Sequence, residues 1–189
     1  MNLKELGDLD LVEIAGDRPE AFGELYERHV SRIYSYIYYR TGNHHDAEDL
    51  TARVFVRALR HVENFEDKGV PFTAWLYRIA HNLVANWHRD RSRRPVIPLE
   101  KHVAVSEISD HPETEAIAIE QNELLLKAIR RLPEDRQTLL ILKFVERMSN
   151  AEIGDVMGRT EGAIKSLYHR TLNALRDEVK KIGSEMEGS

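Results

Sequence analysis

Between Trp75 and Arg94 the chain interleaves rings, amides and guanidinium groups: Trp75, Tyr77, Arg78, Asn82, Asn86, Trp87, His88 and Arg89, then Arg91, Arg93 and Arg94. Aromatic faces take up stacked bases and arginines neutralise phosphates, so the pattern suits single-stranded or melted DNA. Two plainer readings stay open. Trp75 and Trp87 lie twelve residues apart, about 120° around a helix, and either can belong to a broad buried face. The arginine run can equally be a solvated helix face.

A second group spans residues 149–170. Ser149-Asn150-Ala151-Glu152 has the spacing of a capping box, and Thr160 can cap a later helix. Gly154 is small where two helices must cross closely, Gly158 suits a short turn, and Ile164 and Leu167 are apolar where the second helix packs on the first. This is the spacing of a helix-turn-helix, whose second helix enters the DNA major groove. Its outward face would carry Glu161, Gly162, Lys165, Ser166, His169, Arg170 and Asn173. Such side chains contact phosphates and base edges, and the helix start adds backbone amides. A plain pair of antiparallel helices is the competing reading.

The third group is His44-His45-Asp46 with Glu48 and Asp49. These residue types bind metal, and a metal hydrolase is the enzyme they would suggest. Adjacent histidines on a helix, however, point about 100° apart. Acids in a first turn are also what the helix dipole favours. No metal site is therefore assigned. There is no cysteine to ligate zinc or form a disulfide. No glycine-rich phosphate loop, serine elbow or paired-carboxylate signature is present either. Neither catalytic residues nor a cofactor are expected.

The elements that must position these groups read as helices throughout. Phe22, Leu25, Tyr26, Val30, Ile33, Tyr34 and Ile37 recur at three- and four-residue steps. Asp17 and Glu20 can box its start around Pro19, and Gly42 offers a left-handed stop. A second helix starts near Asn43, with Ala47, Leu50, Val54, Ala58 and Leu59 as its core face. Residues 61–71 read as a loop. A third helix carries Phe72, Trp75, Leu76, Ile79, Ala80, Leu83 and Trp87 on one side. After Arg94 the pattern stops at Pro95, Pro98 and Pro112 among several acids, which predicts a linker. Helical spacing returns with Leu124, Leu125, Ala128, Ile129 and Leu132. It continues through Leu139, Leu140, Phe144 and Val145, then Ile153, Val156 and Met157, and last Ile164, Leu167, Tyr168, Leu172 and Leu175. The expectation is an all-α chain of two small domains, residues 18–94 and 115–180, joined by a flexible acidic linker over 95–114.

The 189 residues carry a net charge of −5, yet the charge is segregated. Acids crowd the first 27 residues and the stretch 99–123, while arginines gather between Arg78 and Arg94, and Lys165 and Arg170 lie on the last helix. Local basic surfaces of this kind can bind DNA on an acidic protein. No apolar run reaches the roughly 20 residues of a membrane span. The start Met1-Asn2-Leu3-Lys4-Glu5 lacks the layout of a signal peptide, which predicts a cytoplasmic protein.

Three stretches together resemble the extracytoplasmic-function sigma factors, the compact two-domain branch of the main bacterial sigma-70 family. They are Asp46-Ala47-Glu48-Asp49-Leu50-Thr51, then Phe72 through Asn82, and then Leu132-Pro133 through Ile153-Gly154, Gly162 through Ser166 and His169-Arg170. The resemblance covers residues 20–178 in order. It implies a non-enzymatic factor that binds core RNA polymerase and directs promoter recognition, DNA melting and transcription initiation. Asp46, Glu48, Asp49, Leu50 and Val54 would dock on the clamp helices of the polymerase largest subunit. The loop from Asn64 to Pro71 would capture a flipped base of the −10 element. Trp75, Arg78, Asn82, Asn86 and Arg89 would hold the non-template strand. Flipping a base costs a few kcal/mol, so a pocket and a stacking partner are required. Glu161, Gly162, Lys165, Ser166, His169 and Arg170 would face the −35 element. The linker would thread toward the active-site channel. Members are commonly held by an anti-sigma protein, which makes such a protein a candidate partner beside polymerase and promoter DNA. This chain departs from the family pattern at Ala52 and Arg53, where a Gln and an acid are usual, and at Leu167, where an arginine is frequent. The rival reading is a helix-turn-helix regulator that binds duplex DNA without being a polymerase subunit. The aromatic-arginine helix separates the two, since a duplex reader has no use for it.

Overall fold

The computed structural model describes residues 2–66, 69–92 and 124–187, with the side chains of 91–92 and 186–187 left aside. The expected linker, residues 95–114, lies outside the described residues, as do Arg93 and Arg94. All regular structure among the described residues is helical: α1 (Asp8–Ile14), α2 (Pro19–Thr41), α3 (His44–His61), α4 (Phe72–Ser92), α5 (residues 124–131), α6 (Glu134–Leu140), α7 (Asn150–Met157) and α8 (Glu161–Glu187). Two compact units result, the first built on α1–α4 and the second on α5, α6 and α8.

In the first unit, α2, α3 and α4 pack on one another in all three pairings. Gly42 ends α2 at φ 65°, where its N–H reaches Tyr38 O at 2.8 Å. A residue with a Cβ pays a steric cost in this left-handed region, so glycine suits the stop. One residue later Asn43 caps α3, accepting the Asp46 N–H at 3.0 Å. The expected Asp17–Glu20 box does not form. Arg18 is the cap residue, without a side-chain bond, and Pro19 supplies the first turn. Ala47, Leu50, Thr51, Val54, Phe55 and Ala58 share the inner face of α3. They meet Leu25, Ile33, Tyr36 and Ile37 of α2 and Phe72, Leu76, Tyr77 and Ala80 of α4, each of these at most 2% exposed. Burying each large apolar side chain of this set stabilises the fold by about 1.5–3 kcal/mol.

Three sequence expectations need correction here. Leu59, taken as core, is 51% exposed, because it sits one residue, about 100°, beyond Ala58 on the helix. Tyr77, grouped with the nucleic-acid residues, is fully buried; its ring meets Tyr36 edge-on at 5.3 Å. Finally, α1 lies inside the acidic start, where no helix was expected. Leu11 and Val12 are its buried face, and Ala15, which caps its end, is buried too. Arg28 anchors it, donating to Leu3 O (3.2 Å), Lys4 O (3.1 Å) and Leu6 O (2.9 Å) and pairing with Asp8 (3.1 Å) and Glu24 (2.9 Å). Next to it, His29 Nε2 lies 2.7 Å from Asp8 Oδ2.

In the second unit α6 runs into a π-helical turn, Ile141–Val145, and packs on α8. Glu146 N–H reaches back to Ile141 O at 3.1 Å, the wider bond of a π turn. The wider turn swings Phe144 and Val145 outward, 58% and 55% exposed, although both were expected inside. Leu172, also expected inside, is exposed beside the buried Thr171. Ser149 and Glu152 form the capping box of α7 in both directions, at 2.7 and 3.2 Å. Thr160 accepts the Ala163 N–H at 3.2 Å at the start of α8, after Gly158 at φ 66°. Arg131 ties α5 to the far end of α8 through Glu185 at 3.0 Å.

Candidate nucleic-acid interface

The inner face of α4 is fixed by Phe72, Leu76, Tyr77, Ala80, Leu83 and Val84, all buried. Helical geometry then sends Arg78, Asn82, Asn86 and Arg89 to the opposite side, within an arc of about 80°. All four are exposed. The Arg89 guanidinium donates to Asn86 Oδ1, while Arg78 has no such partner among the described residues. At the head of the stripe Trp75 is half-buried, 5.4 Å from both Phe65 and Phe72. Trp87, also half-buried, lies 4.8 Å from His88. Asn64 is exposed on the short turn before Phe65. The start of α1 borders the same segment: Gly7, Asp8 and Asp10 share a hollow with Gly69, Pro71 and Thr73. That neighbour was not legible in the sequence, since the contact spans some 60 residues of chain.

Behind this face His81 accepts from, or donates to, Tyr36 Oη at 3.3 Å. Burial first, and then the charge of Arg40, hold its imidazole below the usual histidine range.

The acidic start of α3 splits into two groups. Glu48 and Asp49 are exposed and Asp46 is half-buried. Asp49 pairs loosely with Arg53 at 3.7 Å, both side chains being more than half exposed. Leu50 and Val54, expected at the same surface, are instead 1% and 0% exposed. They lie on the buried face of α3, the helix that packs on α2 and α4, and so hold it in place. Ala52, Val56 and Leu59 continue the exposed face from Asp49 at helical steps. Val56 was missed and Leu59 was assigned to the core. The signal that could have found them is their i+7 and i+10 spacing from Asp49.

His44 does not join a ligand set. Its Nδ1 lies 2.6 Å from Tyr34 Oη, and its ring stacks on Tyr38 at 4.3 Å. Among the described residues no group of three histidines or acids is arranged to hold a metal ion.

On α8, Ile164, Leu167 and Thr171 are buried. Glu161, Gly162, Lys165, Ser166, His169, Arg170 and Asn173 are exposed. Leu167 is 3% exposed and so makes no phosphate contact of its own. Arg170 Nε donates to Ser166 O at 3.3 Å. Lys165 Nζ lies 2.8 Å from Glu161 Oε1 and holds that carboxyl below the usual range. The arrangement offers two exposed surfaces, one of amides and guanidinium groups beside rings on α4, and one polar, charge-bearing face on α8. Among the described residues no helix is long and apolar enough to cross a membrane.

Comparison with known proteins is consistent with this geometry. Residues 25–94 match the family model for sigma-70 region 2, and residues 122–175 match that for sigma-70 region 4. The ECF RNA polymerase sigma factor BldN of Streptomyces coelicolor is 39% identical over 168 residues, 88% of this chain and 64% of BldN. The chain thus spans just under two thirds of that relative's length. The ECF RNA polymerase sigma factor SigW of Bacillus subtilis is 31% identical over 177 residues, 88% of this chain and 92% of SigW. In solved structures, the sigma factor RpoE of Bartonella quintana, in complex with the anti-sigma factor NepR, has a TM-score of 0.66 at 22% identity. That match covers 84% of this chain and 96% of RpoE. CnrH, in complex with the cytosolic domain of CnrY, has a TM-score of 0.65 at 21% identity, covering 92% and 97%. These two show the fold alone. The paired region 2 and region 4 matches, with a 31% identical relative covered over 92% of its length, mean that the chain belongs to the extracytoplasmic function sigma factors of the sigma-70 family.

Proposed function

We propose that this chain binds core RNA polymerase and directs promoter recognition, DNA melting and transcription initiation, itself catalysing no reaction. The observation that carries the reading is the exposed stripe Arg78, Asn82, Asn86 and Arg89 beside half-buried Trp75. Stacking and phosphate neutralisation on one surface serve an opened strand. A regulator that reads only duplex DNA gains nothing from them.

Residues 18–94 would form the domain that docks on polymerase and holds the −10 element, and 115–180 the domain that faces the −35 element, with 95–114 between them. Asp46, Glu48 and Asp49 would meet the clamp helices of the largest subunit, and the exposed Val56 and Leu59 extend that face. Asn64 and its loop would take the flipped base. Glu161, Gly162, Lys165, Ser166, His169 and Arg170 would address the −35 duplex. Action on polymerase places the protein in the cytoplasm. The RpoE–NepR complex suggests an anti-sigma protein as a further partner.

The test is in vitro transcription with purified core polymerase on a set of candidate promoters. Promoter-specific transcripts that need this chain support the reading. Their absence across the set, with polymerase binding intact, refutes it.

A further inference from the structure

The face of α8 assigned above to the −35 duplex contains one acid. Glu161 stands at its first position, where it would repel a phosphate approaching the helix start. Its carboxylate is instead closed on Lys165, with Oε1 and Nζ 2.8 Å apart and both side chains more than half exposed. An acceptor and a donor are therefore held side by side on the outward surface.

The major-groove edge of a base pair offers its own fixed pattern. A G·C pair presents the guanine N7 and O6 acceptors next to the cytosine N4 donor, and O6 and N4 are themselves joined by a base-pairing hydrogen bond of about 2.9 Å. The Glu161–Lys165 separation matches that spacing. An A·T pair also places a donor beside an acceptor. There, however, the adenine N7 acceptor flanks the donor and would repel a carboxylate, and the thymine methyl flanks O4 and would desolvate an ammonium. We propose that the Glu161–Lys165 pair reads a single G·C base pair, Glu161 accepting from cytosine N4 while Lys165 donates to guanine O6 and N7. The inference rests on α8 entering the groove. It adds which residues discriminate and for which base pair.

The same geometry disfavours wrong sites. Away from that base pair the carboxylate cancels the lysine charge locally, so Lys165 adds little to sequence-independent attraction.

The experiment uses the full chain with core polymerase and a duplex promoter library randomised across the upstream element. The wild-type protein is expected to enrich an invariant G·C pair. Glu161→Ala and Lys165→Ala should each relax preference about tenfold at that same base pair, with the other positions kept. Both side chains are exposed, so circular dichroism should show an unchanged fold. Variants that relax different positions, relax none, or weaken every sequence equally overturn the proposal while leaving the groove reading standing. A wild-type protein that enriches no upstream sequence overturns both.

Discussion

Replacing Arg78 by alanine separates binding from folding. The side chain projects from the second turn of α4 into solvent, with no hydrogen bond or ion pair among the described residues. Alanine is the better helix former. Stability should therefore change by no more than about 0.5 kcal/mol, as for other surface substitutions. The effect on an opened promoter should differ. A phosphate contact with a single strand contributes about 0.7 to the slope of log affinity against log salt. Over a fourfold rise in salt that is ~0.4 in log affinity. The wild-type complex should then lose ~2.5-fold more affinity than the variant across that rise. Fluorescence anisotropy of the polymerase complex with a premelted promoter fragment measures the slope. Duplex DNA carrying only the upstream element serves as the control. Identical slopes for both proteins on the premelted fragment would refute the assignment of Arg78 to the strand. A large drop in melting temperature would refute the claim that it is free of structural work.

Asp49→Ala should weaken binding to core polymerase in a pull-down or titration while the melting temperature holds, since its 3.7 Å pair with Arg53 is exposed; unchanged affinity would remove Asp49 from the docking face. Its neighbour should behave oppositely: Leu50→Ala, at a site 1% exposed, should cost about 2–5 kcal/mol in urea unfolding, and a shift below 1 kcal/mol would mean the α3 core is misassigned. His81 gives a pH signature. Its folded pKa is lowered, so the unfolded chain binds more protons in the window below the ordinary value of about 6.5. Stability is thus complete above that value and falls as pH drops through the window. His81→Gln should flatten this part of the urea-midpoint profile; a profile that keeps its slope would contradict the assignment.

Local signals in the sequence translated directly into structure where a single residue type decides the backbone. Gly42 stops α2, Asn43 starts α3, and Ser149 with Glu152 starts α7. Periodicity was weaker at deciding which half of an apolar stripe is covered. Leu59, Phe144 and Val145 follow the helical spacing yet face outward, one because it sits just past the packed arc and two because a π turn shifts the register. Tyr77 misled for a different reason: a tyrosine beside an arginine looks like a nucleic-acid residue, whereas Tyr36 across the core gives its ring a buried neighbour. For α1 the acidic composition hid a short apolar face, and its anchor, Arg28, lies some 20 residues away in the chain. On the candidate site, the α4 and α8 faces could be read because core residues on one side dictate what the other side shows. Leu50 and Val54 could not be told from surface residues, because α3 carries buried and exposed apolar positions within the same few turns.

Mapping transcript 5′ ends after raising the level of this chain in cells tests the account most directly. Two DNA-facing surfaces on one polymerase-bound chain predict start sites that share an upstream and a downstream element at one fixed separation. Starts that share an upstream element alone, or no element at all, would contradict it.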